Sequence, residues 1–392
     1  MLRFFTAGES HGEALVGTIS GLPAGIVVDQ AFVDRELWRR QQGYGRGGRM
    51  KIESDRAHFL SGVRHGKTIG SPIAILLENK DWKNWQEALP VEAGDPAKHK
   101  TVKSPRPGHA DLAGALKYDF PDARYVLERA SARESAARTA VGALAKLFLR
   151  ELGIEVLSHV LSVGGTLITD ADVAWERLVE LAKKDDILLN CADAESEQRM
   201  KAEVDAVLKT GDTVGGVFEV VAHNVPPGLG TFAQWDERLD TQLAAAVMSL
   251  QAVKAVEIGS GVTAAVSAGS GVHDAIRYEK QRAGFTGFAR SSNHAGGIEG
   301  GVSNGEDVLV RGYLKPISTL RRPLESVDFA TREPVKAAYE RSDVCVVPAA
   351  GVAGEAMVAL TLARAALEKF GGDSIGETKR NFHGYLEQLK RF

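Results

Sequence analysis

AHFLSGVRHGKTIGSPIAILLEN, residues 57–79, reads as two strands turned back on one another at Arg64 to Lys67. Aliphatic residues flank a short polar corner, and Pro72 pushes its strand toward an edge or a bulge, because proline gives no N–H to a ladder. The signal is antiparallel. Downstream, WKNWQEALPVEAGDPAKHKTVKSPRPGHADL (82–112) is rich in proline and charge and has no apolar period, which predicts a long surface loop of the kind that is functional or disordered. ERASARESAARTAVGALAKLFLREL, from Glu128 to Leu152, sets Val141, Leu144, Leu147, Phe148 and Leu152 at helical spacing with Gly153 as the stop, and predicts one long helix.

Beyond it, IEVLSHVLSVGG and GGVFEVVAHNVP read as strands. Helical pattern returns near Trp175–Lys183, Glu197–Leu208 and Trp235–Ala252. AVEIGSGVTAAVSAGSGV and DVLVRGYLKPI look like strand material, as does the apolar run after Asp343, and the tail 355–392 carries two helices broken at Phe370 to Asp373. Strict β-α-β alternation is missing, so the expectation is an α+β fold with antiparallel sheets rather than a doubly wound parallel one. No repeat or linker divides the chain. We expect a single domain over 1–392, with the polar stretch 170–211 as a variable insertion within it.

The chain has 392 residues, 44% hydrophobic and 25% charged, enough to bury a large core. A net charge of −3 and a pI near 6.4 give no overall basic field, which argues against nucleic acid and against anionic membrane as partners. Cys191 and Cys345 sit in no metal or redox spacing and read as ordinary buried thiols. The N-terminus MLRFFTAGESHGE lacks the apolar stretch of a signal peptide, and no uninterrupted apolar run approaches the ~20 residues that span a bilayer. These features together predict a soluble cytoplasmic protein.

Two motifs mislead. GVRHGKT mimics a phosphate-binding loop, but Ser61 stands where its first glycine should be and a strand follows. GSGVTA (259–264) mimics a dinucleotide fingerprint, with Glu279 at about the right distance, yet no helical pattern opens on its glycines, and a strand turn is expected. Ten histidines include no H-E-x-x-H and no Cys/His cluster, so no catalytic metal is expected.

The chemistry gathers elsewhere. QQGYGRGGRMK (41–51) holds two arginines and a lysine among glycines: either an RGG-like arm or a loop around one small anion. TAGESHGE places Ser10 and His11 in a segment too polar for core, and SPRPGHADL sets Arg106 and His109 about a proline-glycine turn. In RASARESAAR, Arg129 and Arg133 stand four apart on what reads as one helix face near its start, where cations oppose the dipole unless an anion sits there. The plainer reading has Glu128 and Glu134 neutralising them on a wet surface. SSNHAGGIEGG allows a flat ligand to approach backbone, LKPISTLRRP offers a lysine and two hydroxyls to a phosphate, and ERSDVCVVPAAG sets Arg341 beside Asp343. A small polyanion would unite these groups.

GESHGE, QQGYGRGGRMKIESD, SPRPGHAD, RASARESAAR, NHAGGIEGG, LKPIST and RSDVCVVPAAG, in this order from Thr6 to about Ala363, resemble the motif series of the chorismate synthase family. The stretch 170–211 carries none of them. The resemblance implies a β-α-β sandwich of two antiparallel sheets enclosing central helices, assembled as a homotetramer. It implies a lyase that converts 5-enolpyruvylshikimate 3-phosphate to chorismate and phosphate by anti-1,4-elimination, the last step of the shikimate pathway, with reduced FMN and no net redox change. His11, His109 and Asp343 match the catalytic positions; Ser10, Arg40, Arg46, Arg49, Arg106, Arg133 and Arg341 match substrate-binding positions. Arg129, Ala130, Ser131, Gln251, Ala252, Gly300, Lys315, Pro316, Ile317, Ser318, Thr319 and again Arg341 match FMN positions. Arg40 and Arg46 also match positions tied to NADP in some members, with NADPH entering only as a reductant. The chain has no room for the reductase domain of bifunctional members, so reduced FMN is expected from an external flavin reductase activity. An RNA-binding protein and a nicotinamide-dependent dehydrogenase are the competing readings; composition speaks against the first and the missing helix after GSGVTA against the second.

Overall fold

In the computed structural model, residues 1–47, 54–279, 284–340 and 343–392 are described, and structural statements concern these. The corner at 64–67 is a tight turn. His65 and Gly66 both have positive φ (49° and 72°), as a two-residue hairpin matching strand twist requires, and Val63–Arg64 pairs with Lys67–Thr68. The strands flanking it, β3 (His58–Phe59) and β4 (Ile73–Glu78), join β1 (Arg3–Ala7) and β2 (Ala14–Ser20) in a four-stranded antiparallel sheet of order β1-β2-β4-β3. A second antiparallel sheet contains β5 (Glu155–Val163), β6 (Thr166–Leu167), β7 (Gly216–His223), β8 (Val253–Ile258) and β9 (Val308–Leu314), in the order β8-β9-β7-β5-β6.

The main helices are α1 (Gln30–Gln41), α2 (Ser135–Arg150), α3 (Leu239–Met248), α4 (Val347–Phe370) and α5 (Ile375–Leu389). Helix α2 packs on the first sheet and on α4, and α4 packs on the second sheet. Small residues make these crossings tight: a Cβ on Gly142 would stand 2.3 Å from Ala356 Cβ, and one on Gly354 would stand 2.6 Å from the Phe218 ring. Between the helices lies a buried ionic network. Arg39 pairs with Glu36 at 2.8 Å and with Glu355 at 2.7 Å, Lys146 bridges both glutamates, and Ser158 donates to Glu355 at 2.6 Å. Burial alone would raise the Glu36 pKa, but Lys146 and Arg39 outweigh it and hold the carboxyl at about 2.

Several expectations need correction. The helix expected over 128–152 is interrupted: Arg124–Ala130 is helical, Ser131 is extended, Ala132–Glu134 forms one 3₁₀ turn and α2 starts at Ser135. The Ser131 hydroxyl accepts from the Arg133 N–H, the kind of side-chain cap that ends one helix and starts another. Helix α3 is shorter than the expected 235–252. A one-turn helix, Gly261–Ala264, does open on the glycines of GSGVTA. The apolar run after Asp343 is not a strand; α4 begins at Val347 with Pro348 in its first turn, where a missing N–H costs nothing. Helix α4 also has the length and apolarity of a membrane span, but 83% of its most apolar stretch is buried inside the protein. The 170–211 stretch holds helices Trp175–Ala182 and Ala194–Thr210, and its Leu178, Leu189, Cys191, Met200 and Val204 belong to the same core as the two sheets. Both cysteines are buried and free, as expected.

Candidate active site

The polar turn between β1 and β2 carries His11. Its backbone N–H donates to Glu128 Oε2 at 2.7 Å and its Nδ1 lies 2.9 Å from Glu128 Oε1, while its ring stacks on Trp85 with centroids 4.0 Å apart. Glu128 is fully ionised at working pH: burial would raise its pKa, but the bonds from His11 and the Arg124 charge hold it below the usual range. A carboxylate can only accept, so His11 Nδ1 carries a proton. Next to it, Ser10 Oγ donates to Ser131 Oγ at 3.1 Å.

Asn79, at the end of β4, ties this turn to a cluster of arginines. Its amide donates to the Glu9 and Gly12 carbonyls, and its oxygen accepts from Arg133 Nε at 2.9 Å. Arg133 then meets both oxygens of Asp55 at 2.7 Å, and Arg40 reaches the same carboxylate at 3.0 Å and Ser135 at 3.2 Å. Two guanidinium groups thus share one carboxylate. Burial, joined by repulsion from Arg133 and Arg46, outweighs the attraction of Asp55 and pushes Arg40 down to about 10, still cationic at neutral pH. Asp343 closes this side, with Oδ1 accepting from the Gly47 N–H at 2.5 Å and Oδ2 3.6 Å from Arg46 Nε.

The second histidine sits in a different cluster. His109 Nδ1 lies 2.5 Å from Asp111 Oδ1, and Arg106 holds the same aspartate through Nε at 2.8 Å and Nη2 at 3.0 Å. Asp111 is wholly buried; burial would raise its pKa, but the bonds from His109 and Arg106 keep it well below the carboxylate range. Arg106 also donates to Thr319 Oγ1 at 2.8 Å, and Lys315 Nζ donates to the Gly108 carbonyl and Ser318 Oγ, both at 2.9 Å. A chain of bonds joins the two clusters. Lys315 N–H binds the Ala252 carbonyl, Gln251 donates to Glu134, Glu134 accepts from Thr6 at 2.5 Å, and Arg129 donates to the Thr6 and Gly8 carbonyls.

A model of the family described as chorismate synthase matches residues 2–367. Over the full length of both chains, this sequence is 74% identical to the chorismate synthase of Koribacter versatilis (strain Ellin345) and 55% identical to that of Geobacter sulfurreducens. A crystal structure of chorismate synthase, 40% identical, superposes with a TM-score of 0.78 over 100% of this chain and 99% of that chain. The chain belongs to the chorismate synthase family.

Most positions that match the chorismate synthase motifs are brought together. Ser10, His11, Arg40, Arg46, Arg133 and Asp343 surround the Asp55 side; Arg106, His109, Lys315, Ser318 and Thr319 form the other; Arg129, Ser131, Gln251 and Ala252 lie along the connecting band. Ala130 ends the short helix beside Ser131, and Pro316 and Ile317 lie within the Lys315 to Thr319 run. Gly300 lies in a turn where the next residue, Gly301, neighbours Thr231, Arg238 and Leu239, and among the described residues no hydrogen bond ties it to the other matched positions. Arg49 and Arg341 lie outside the described residues. The shared helix face expected of Arg129 and Arg133 is absent: Arg129 is in the last turn of one helix, favourable for its dipole, and Arg133 in the 3₁₀ turn beyond the break. Nor do Glu128 and Glu134 neutralise them. Glu128 serves His11 and Arg124, and Glu134 serves Thr6, Arg138 and Gln251.

Sequence reasoning missed the carboxylates. Asp55 and Asp111 stand inside quoted motifs, but a carboxylate near arginines looks like a surface neutraliser until its burial is known. Trp85 and Asn79 gave no local signal, because their partners in the site are more than fifty residues away in sequence. Of the loop 41–51, the described part folds against the protein through Tyr44, Gly45 and Gly47 rather than extending as an arm. Among the described residues no cluster of histidine, cysteine and carboxylate side chains could hold a metal ion.

Proposed function

We propose that this chain converts 5-enolpyruvylshikimate 3-phosphate to chorismate and phosphate by anti-1,4-elimination, using reduced FMN with no net redox change. One observation carries the reading: Arg40 and Arg133 share the single Asp55 carboxylate, and Asn79 ties that pair to the His11 turn. Two guanidinium groups and an imidazole are therefore held close together, the donor types that a departing phosphate needs.

The donor set at the other end suits FMN. Lys315, Ser318 and Thr319 can take a phosphate, and Arg129 with the backbone near Ala252 can border a ring system. A hydrogen on an unactivated ring carbon is too weak an acid for an imidazole alone, since general bases contribute only about 10²–10⁴-fold. Reduced FMN, held by Lys315, Ser318, Thr319 and Arg129, would supply the electron density that such an elimination requires. The arginines hold the phosphate and carboxylates bidentately, which fixes the ring and neutralises charge as the C–O bond breaks. As an imidazolium, with Nδ1–H held by Glu128, His11 would give its Nε2 proton to the phosphate; His109 would set the protonation of a bound flavin, and Asp343 would receive the proton released from the ring.

The same reading takes the fold as one β-α-β sandwich domain over 1–392 and the working form as a cytoplasmic homotetramer. The position of α2 and α4 between the two sheets supports the layer order. Reduced FMN comes from a separate reductase activity, and NADPH serves only as a reductant; Arg40, 4% exposed and bound to Asp55, is poorly placed to grip a dinucleotide. An anaerobic assay with dithionite-reduced FMN tests the function. Phosphate and chorismate should appear in equal amounts; no product under those conditions refutes the assignment.

A further inference from the structure

The 170–211 stretch carries none of the family motifs, yet it packs against the loop that carries Arg46. Tyr44 donates its backbone N–H to the Leu188 carbonyl at 2.6 Å and its hydroxyl to Asp205 Oδ1 at 2.5 Å. Lys201 binds the other Asp205 oxygen at 3.1 Å and lies 4.4 Å from the centroid of the Tyr44 ring. Gly45, with φ of +83°, comes so near the helix Ala194–Thr210 that a Cβ there would stand 2.9 Å from Val204 Cγ1. On the opposite side, the Gly45 carbonyl accepts from the Val344 N–H at 2.7 Å and Gly47 donates to Asp343.

The loop is thus gripped between two segments distant in sequence. Glycines at 43, 45 and 47 make it costly to order, because glycine loses more backbone freedom than any other residue. A loop already held in its bound shape loses less entropy when the ligand arrives, and the gain appears as affinity.

We infer that Tyr44 and Asp205 are positioning residues that hold the Arg46 loop in its binding shape, making 170–211 a clamp on the substrate site. The inference rests on Arg46 as a substrate-binding residue. Among the described residues Tyr44 binds Leu188, Asp205 and Lys201 and makes no contact with His11, His109 or Asp343, so its loss falls on KM and not on kcat.

Steady-state kinetics of Tyr44→Phe and Asp205→Asn, run anaerobically with reduced FMN beside Arg46→Lys, test it. Tyr44→Phe keeps the ring under Lys201 and Asp205→Asn keeps the shape of the side chain, so melting temperature and FMN affinity should match the parent. Loss of one charge-assisted bond should raise KM for 5-enolpyruvylshikimate 3-phosphate about three- to tenfold, with kcat within about twofold. If Arg46→Lys raises KM while both clamp variants leave it unchanged, the clamp is wrong and the substrate reading stands. If Arg46→Lys leaves KM unchanged, the reading of the loop fails and the clamp fails with it. A fall in kcat at constant KM in Tyr44→Phe also overturns the inference, since it places Tyr44 in the chemistry.

Discussion

His11 and His109 share one arrangement: each turns Nδ1 to a buried carboxylate, Glu128 or Asp111. Such a partner fixes the tautomer and ring angle, which is the condition for a useful proton-transfer group. Replacing His109 with alanine should lower kcat by about 10²-fold or more, measured anaerobically with reduced FMN. Near-normal turnover removes His109 from the chemistry. Asp111→Asn should lower kcat and also raise KM, because the aspartate braces Arg106 as well as the histidine; a change in kcat alone assigns Arg106 no part in binding. The histidines and arginines were legible in the sequence because polar, glycine-rich segments have no core role to explain them. Their carboxylate partners were not, since a glutamate beside an arginine satisfies the simplest local reading, and only the fold sends Glu128 to His11 instead.

At the scale of elements, the break at Ser131 shapes the site. Continuous helical pattern from Glu128 to Leu152 gave no hint of it, because alanine-rich sequence tolerates a serine cap without losing its period. The break turns Arg133 toward Asp55 and leaves Arg129 over the β1–β2 turn. Helices α1, α2 and α4 are held to one another by Glu36, Arg39, Lys146 and Glu355, and Arg40 follows Arg39 directly, so this network sets where α1 ends in the site. Glu355→Gln leaves Arg39 and Lys146 short of one buried counter-charge and should cost about 3–5 kcal/mol in denaturant unfolding. A loss below about 1 kcal/mol means that the two cations find other partners.

Across the whole molecule, acid sensitivity follows from the same carboxylates. Glu36, held at about 2, and Asp55, Asp111 and Glu128, all held below their ordinary values, are each ionised and paired in the folded state. A depressed folded pKa gives stability that is present above the unfolded value and lost as pH falls through the folded one. The melting temperature should therefore hold from neutral pH to about 5 and fall steeply between about 4 and 2. A flat profile through that range disproves the burial of these charges.

Strands, helices and the antiparallel character were written in the sequence, since hydrophobic period and turn residues act over a few positions, and so was the family, in motifs that stand intact along the chain. What the tertiary structure alone decided is which charge meets which. The site draws partners from positions 10 and 128, 55 and 133, 79 and 12, 106 and 319, and 44 and 205. Ion pairs and hydrogen bonds act over a few ångströms whatever the distance along the chain, so no local pattern encodes them. The 170–211 stretch shows the difference most plainly: without a motif it reads as an insertion, and only packing brings Asp205 to Tyr44 and Val204 to Gly45.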